Sequence, residues 1–307
     1  MIDEFIEKLK KNYEPLLGEM FQKEKARAKR VRLIIMIVFI VAFICMFILP
    51  QMLFLIAPLM IFFGIAMVIH SAIKNGTSRY DSLERKYTNT VGKEMVSLYF
   101  QDPTFNFPNS FLDKYIYYEL GYGSFDRSQC DFELRFKYKN RAVKASSIHL
   151  EDVRTDNDGN TYTVTIFRGL FCYLDLGYDI GTKICIADDA FRFGKMGCAE
   201  KVRMDSKKFE KCFDIYTNDK IKAMQLLTAD VMEKLADLFN NSDDGFDIII
   251  DGSKMYIRVS LNNYMFAINY LGELFDKKTI SRDILALGTI SNAIDLIDYG
   301  VESNHLI

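Results

Sequence analysis

The chain has 307 residues, half of them hydrophobic, with 39 basic and 41 acidic side chains, 25 Phe, 17 Tyr and no Trp. Its net charge of −2 is a sum over two unlike parts, because residues 33–73 hold no Asp, Glu, Lys or Arg at all. That split excludes a disordered chain, a wholly soluble protein and a polytopic transporter of ordinary size.

Residues 1–32 read as an amphipathic basic N-terminal helix. Ile2, Phe5, Ile6, Leu9, Tyr13, Leu16, Leu17 and Met20 recur at helical spacing, and Pro15 marks a place to kink or split it. The uncharged run 33–73 would be about 60 Å long as one helix, twice a hydrocarbon core of about 30 Å. Leu49-Pro50-Gln51-Met52 supplies the break. The run therefore predicts a transmembrane helical hairpin, with spans at 33–49 and 52–73 and a kink at Pro58. His70, beside Ser71, falls at the interface, where an imidazole reaches water. Lys23, Lys25, Arg27, Lys29, Arg30 and Arg32 precede the hairpin, and Lys74, Arg79, Arg85 and Lys86 follow it. Positive flanks favour the cytoplasm, so the expected location is the cell membrane, with two spans and both termini cytoplasmic.

Residues 74–102 read as a neck helix, with Tyr80, Leu83, Tyr87, Val91, Met95 and Leu98 three or four apart. The N-terminal and neck stripes meet on one side of the membrane and should pair as antiparallel helices. The rival arrangement lays the basic helix flat on anionic lipid.

Residues 103–307 read as a cytosolic α+β domain of antiparallel sheet plus helices. Ser110 could cap a short helix over Phe111–Glu119. Phe132, Leu134, Phe136 and Tyr138 then alternate with charged residues as a half-buried strand. A turn at Lys139-Asn140-Arg141 leads to a second strand ending near Arg154. Asp156-Asn157-Asp158-Gly159-Asn160 is a turn before a long strand near Thr161–Leu176, and a shorter one follows near Lys183–Ala187. Residues 205–240 read as mostly helical, with Thr217 or Asn218 capping one helix and Thr228 the next. Phe246–Leu261 is a hairpin around Asp251-Gly252-Ser253, and a helix near Ile280–Asp298 closes the chain.

The threonine- and valine-rich strand Thr161-Tyr-Thr-Val-Thr-Ile-Phe167-Arg168-Gly169-Leu170-Phe171, the segment Phe209-Glu210-Lys211-Cys212-Phe213-Asp214-Ile215-Tyr216 and the step Leu226-Leu227-Thr228 resemble one family. It is a bacterial two-span membrane family catalogued only as a domain of unknown function. The likeness is strongest over about 160–260 and departs at Ala229, where the family pattern has proline. It implies a membrane location and carries no activity. It also makes a LemA-type membrane protein a candidate partner.

Chemistry-bearing patterns are few. Asp156–Asn160 opens like a calcium loop, but Thr161 stands where the bend needs glycine and Phe167 where a bidentate glutamate belongs. Cysteines 45, 130, 172, 185, 198 and 212 form no Cys-x-x-Cys pair and read as small buried hydrophobes. Histidines 70, 149 and 305 make no local cluster, and no glycine-rich phosphate loop occurs. No metal or cofactor is therefore expected. Residues 74–307 carry 30 basic against 35 acidic side chains, which disfavours nucleic acid. Arg168 is the exception to its local pattern. It shares strand parity with Tyr162, Val164, Ile166, Leu170, Cys172, Leu174 and Leu176, and a guanidinium on an apolar face needs a carboxylate or a bound anion. Asp175, Asp188 or Asp189 could supply the carboxylate. Alternatively, a bulge or bend at Gly169 turns Arg168 outward. Tyr115, Tyr117, Tyr118 and Tyr122 crowd one segment, as core or as a binding surface.

These readings favour a membrane-anchored interaction or scaffold protein whose partners are the lipid bilayer and an unidentified membrane or cytosolic protein. Homo-oligomers are compatible with the anchor. The alternative is a cytosolic small-ligand or anion sensor built on Arg168 that signals through the neck. A pore of oligomerised hairpins ranks last, because the spans carry no carboxylate or basic residue. The pattern leans away from an enzyme, although scattered Asp, Glu and Tyr can assemble a site that no local motif shows.

Overall fold

The computed structural model describes residues 2–48, 82–107, 110, 112–188, 200–242, 245–304 and 306. The chain divides into two compact units, residues 1–90 with 268–277, and residues 91–267 with 278–307. Among the described residues it is α+β, with a long N-terminal helix and a large antiparallel sheet flanked by helices.

In the first unit, helix α1 (Ile2–Ile48) is continuous. Pro15 neither ends nor splits it. Proline removes one hydrogen bond, and the buried face formed by Ile6, Leu9, Leu17 and Phe21 passes across the gap. Leu16, by contrast, is exposed. Helix α2 (Ser82–Tyr87) packs against α1 and buries Leu83 and Tyr87, so this part of the neck stripe pairs with α1, while Leu98 at its far end is exposed. Residues 268–277, which the sequence reading leaves in the globular domain, also belong here. Tyr270 stacks on Phe21 at 6.3 Å, Lys25 Nζ donates to the Gly272 carbonyl at 2.5 Å, and Lys277 pairs with Asp3 at 2.6 Å. The second predicted span (52–73), the turn at Pro50, His70, Lys74 and Arg79 lie outside the described residues.

The neck is not one helix to residue 102. A π-helical turn (Thr88–Gly92) and helix α3 (Lys93–Val96) follow α2, and strand β1 (Gln101–Asn106) then begins. β1 accepts Pro103 because it lies at the sheet edge, where a missing N–H costs no ladder bond. The predicted helix over Phe111–Glu119 is shorter: α4 (Lys114–Glu119) is capped by Asp113, whose side chain accepts from Ile116 N–H at 2.8 Å.

The other strands are β2 (Arg127–Tyr138), β3 (Arg141–Thr155), β4 (Thr161–Asp175), β5 (Lys183–Asp188), β6 (Glu200–Val202), β7 (Phe213–Thr217), β8 (Phe246–Asp251) and β9 (Lys254–Ser260). They form one antiparallel sheet in the order β1-β2-β3-β4-β9-β8-β5-β7-β6. Region 205–240 is thus less helical than expected. It holds β7, a short 3₁₀ turn, α5 (Lys220–Leu226, capped by Asp219) and α6 (Ala229–Asn240, capped by Thr228). The Asp156 turn stands as expected. Its carboxylate accepts from the N–H groups of Asp158 at 3.0 Å and Asn160 at 2.8 Å, which leaves it committed to the turn.

Both sheet faces are covered. One carries Ile148, Leu150, Phe167, Phe171, Cys185 and Ile249 against Tyr117, Leu120, Tyr122 and Phe125. The other carries Leu170, Cys172 and Leu174 of β4 opposite Val259, Ile257 and Met255 of β9. On that face Val259 and Leu261 meet Leu285, Ala286 and Thr289 of α7 (Lys277–Ser303). α7 is long and apolar enough to cross a membrane by length and composition, but 67% of that stretch is buried within the fold. Its C-terminal part is fixed by Asp298, which accepts two bonds from Arg141, at 2.9 and 2.6 Å, and one from Tyr178 at 2.9 Å.

Candidate functional site

Arg168 lies on β4 directly opposite His149 of β3. The register slips just upstream, since Leu150 faces Phe167 while Glu151 faces Thr165. Ile166 is therefore the extra residue of a bulge, and the bulge is not at Gly169. Gly169 answers a different demand. Its φ is 152°, and a Cβ there would sit 2.0 Å from the Val259 carbonyl oxygen, so only glycine lets β9 approach. The bulge breaks the uniform parity read from the sequence. Beyond it Arg168 does share a face with Leu170, Cys172 and Leu174, whereas Tyr162 is exposed.

Neither of the expected carboxylates among the described residues, Asp175 and Asp188, reaches Arg168. Asp175 instead accepts from Gly177 N–H at 2.9 Å, Asp188 makes no ion pair with Arg168, and Asp189 is outside the described residues. Arg168 Nη1 donates to the Asn262 carbonyl at 3.2 Å, and Nη2 lies 3.2 Å from His149 Nε2. The guanidinium stands over the Tyr264 ring at 5.4 Å.

His149 is buried and collects the other contacts. Its Nε2 is 2.9 Å from Thr165 Oγ1 and 3.7 Å from a Glu151 oxygen, and its Nδ1 is 3.3 Å from the Tyr264 hydroxyl. A guanidinium can only donate, so Nε2 presents its lone pair and the ring proton sits on Nδ1, facing Tyr264. The Tyr264 hydroxyl passes its own proton to Gln129 Oε1 at 3.2 Å. The segment holding Tyr264 is braced by α7. Arg282 donates to the Tyr264 carbonyl at 2.9 Å, and Asp283 accepts from Phe266 N–H at 2.9 Å, where φ is 56°. Burial pushes the Asp283 carboxyl up to about 6, against the opposing pull of Arg282.

An open pocket of about 310 Å³ lies beside Arg168, lined by Thr165, Ile166, Phe167, Arg168, Ser260, Leu261 and Asn262. Arg168 Nε and Ser260 Oγ are buried with no hydrogen-bond partner among the described residues. Sequence reasoning found Arg168 and missed His149 and Tyr264, because their proximity comes from the pairing of distant segments and not from spacing along the chain.

Residues 165–298 match the family described as a protein of unknown function, DUF3137. The resemblance drawn from the Phe-Arg-Gly-Leu-Phe strand is thereby placed as a domain of unknown function. No curated protein and no solved structure matches the chain. The DUF3137 match takes in Thr165, Arg168, Ser260 and Tyr264, while His149 and Gln129 come from strands before it.

The remaining candidates separate by burial. Cys130 is half-buried, and Cys172, Cys185 and Cys212 are buried. Burial pushes Cys130 up to about 12 and Cys172 and Cys212 upward as well, which keeps these three thiols protonated and unreactive. Tyr117 and Tyr122 are core residues, whereas Tyr115 and Tyr118 are 67% and 66% exposed. The basic residues Lys23, Arg27, Lys29, Arg30 and Arg32 of α1 are exposed, and Lys25 is half-buried. Beyond them Leu33, Ile34, Met36, Ile37, Phe39, Ile40, Val41 and Phe43 are all exposed.

Proposed function

We propose that this chain is a membrane-anchored protein whose globular unit works on the cytosolic side by engaging a protein partner. The observation that carries this reading is the change in surface along α1. Up to Phe21 the helix buries one apolar face, but from Leu33 to Phe43 it exposes large apolar side chains over most of its circumference, with Ile35 and Val38 half-buried on the remaining stripe. Water does not favour such a cylinder, whereas lipid does. The basic stretch before it suits an anionic cytoplasmic surface. The charge-free sequence through Ile73 supplies a second span and returns the chain to the same side, in the manner of the bacterial two-span family it resembles. Tyr115 and Tyr118, exposed beside each other on α4, support partner binding.

The anchor is tested by fractionating cells that express the chain tagged at each end. The chain should remain in the membrane pellet after alkaline wash, and both tags should resist protease added outside. Replacing Ile37 and Phe39 together by Lys should release the protein, since each charge costs about 2.5–3.5 kcal/mol at a span centre. A chain that is soluble and monodisperse without detergent would overturn the reading.

A further inference from the structure

The pocket at Arg168 is independent of the anchor and supports an inference of its own. Its arginine is in no ion pair among the described residues, although it is half-buried beside the core. Nη1 is occupied by a carbonyl and Nη2 by the lone pair of a neutral imidazole. Neither neutralises the charge. The Arg168 Nε–H also has no acceptor among the described residues. A guanidinium without a carboxylate suits the oxygens of a phosphate, which match its planar donors. The other polar residues on the wall are Thr165, Ser260 and Asn262. The carboxylate in the cluster, Glu151, faces His149 at 3.7 Å and makes no ion pair with Arg168.

The surroundings support the guanidinium. Tyr264 supports the guanidinium from one face, and Arg282 and Asp283 hold the Tyr264–Phe266 backbone in place. A site held in shape before its ligand arrives loses less on binding.

We propose that this pocket is a binding site for a phosphate-type oxyanion, held by the Arg168 guanidinium. A free phosphate compound and a phospholipid headgroup share that chemistry. The test is thermal unfolding of the full chain in phosphatidylcholine nanodiscs, titrated with inorganic phosphate at constant ionic strength, beside nanodiscs containing phosphatidic acid without added phosphate. A saturable rise in melting temperature with inorganic phosphate supports a free ligand. A rise confined to phosphatidic acid supports a lipid headgroup. In either case Arg168→Gln should weaken the effect roughly ten- to hundredfold, and Arg168→Lys should restore only part, because it keeps the charge and loses the fork. No rise in either arm, or a rise that survives unchanged in Arg168→Gln, overturns the proposal.

Discussion

Two arginines on neighbouring strands of one sheet live in opposite circumstances. Arg258 of β9 is 2% exposed and has its own carboxylate: Nε donates to Asp247 at 2.8 Å, and Nη1 donates to the Tyr117 hydroxyl at 2.7 Å. The Tyr122 hydroxyl donates to the other Asp247 oxygen, and the Tyr122 ring lies 4.0 Å under the guanidinium. Burial opposes the charge on Arg258, but Asp247, Tyr117 and Tyr122 together hold it protonated. Burial and the neighbouring Asp247 push Tyr122 well above the ordinary phenol range, so it stays a donor. Among the described residues Arg168 has no such carboxylate, and it opens onto a pocket. The fold gives the buried Arg258 a carboxylate of its own and gives Arg168 none among the described residues. The first belongs to the architecture and the second to a ligand.

If that division is right, the largest effect comes from Arg258. Arg258→Ala strands Asp247 in a dry core and should cost about 3–5 kcal/mol in a chemical-denaturation curve. Replacing both members by hydrophobes of similar volume should recover most of it. A loss under 1 kcal/mol would break the contrast. Gly169→Ala follows, at about 2–4 kcal/mol, because its Cβ would meet the β9 backbone while the residue keeps a positive φ.

Asp283 gives a pH-dependent effect beneath the Arg168 site. Its folded carboxyl is raised from 3.8 to about 6, so the folded state holds that proton more tightly than the unfolded chain. The resulting stabilisation is complete below pH 3.8 and is lost as pH rises through 6. Its upper bound is about 3 kcal/mol. Asp283→Asn should therefore flatten the stability profile between pH 4 and 7, read as melting temperature against pH. An unchanged slope would remove Asp283 from the account. The smallest effect is expected at Arg168 itself: Arg168→Gln should shift ligand-free stability by less than about 1 kcal/mol, since it breaks only contacts with neutral groups at an open pocket.

Much of the sheet was legible in the sequence. Alternation gave β2, the Asn140 and Asp156 turns gave the boundaries of β3 and β4, and Asp251-Gly252 gave the β8–β9 hairpin. β1 was hidden by Pro103, which argues against a strand anywhere but at an edge. β7 was hidden because five residues beside a helix cap carry too few periods to separate 2 from 3.6. The site was legible only in part. Arg168 stood out because a charge fell among apolar residues of equal parity. Its partners did not, because the Ile166 bulge resets that parity and because His149 and Tyr264 reach it through pairing of distant segments. Arg258 was missed for the same reason. Its strand reads as alternating, and only the register with β8 puts Asp247 opposite it.

The contrast between the two arginines is tested most directly by following their Nε–H resonances in the full chain in detergent, labelled with ¹⁵N-arginine, as phosphate is added. Each resonance is assigned by substituting its arginine with lysine. The account predicts that the Arg168 Nε–H signal moves saturably while the Arg258 signal stays in place. An Arg168 signal that stays still, or two signals that drift together, would contradict it.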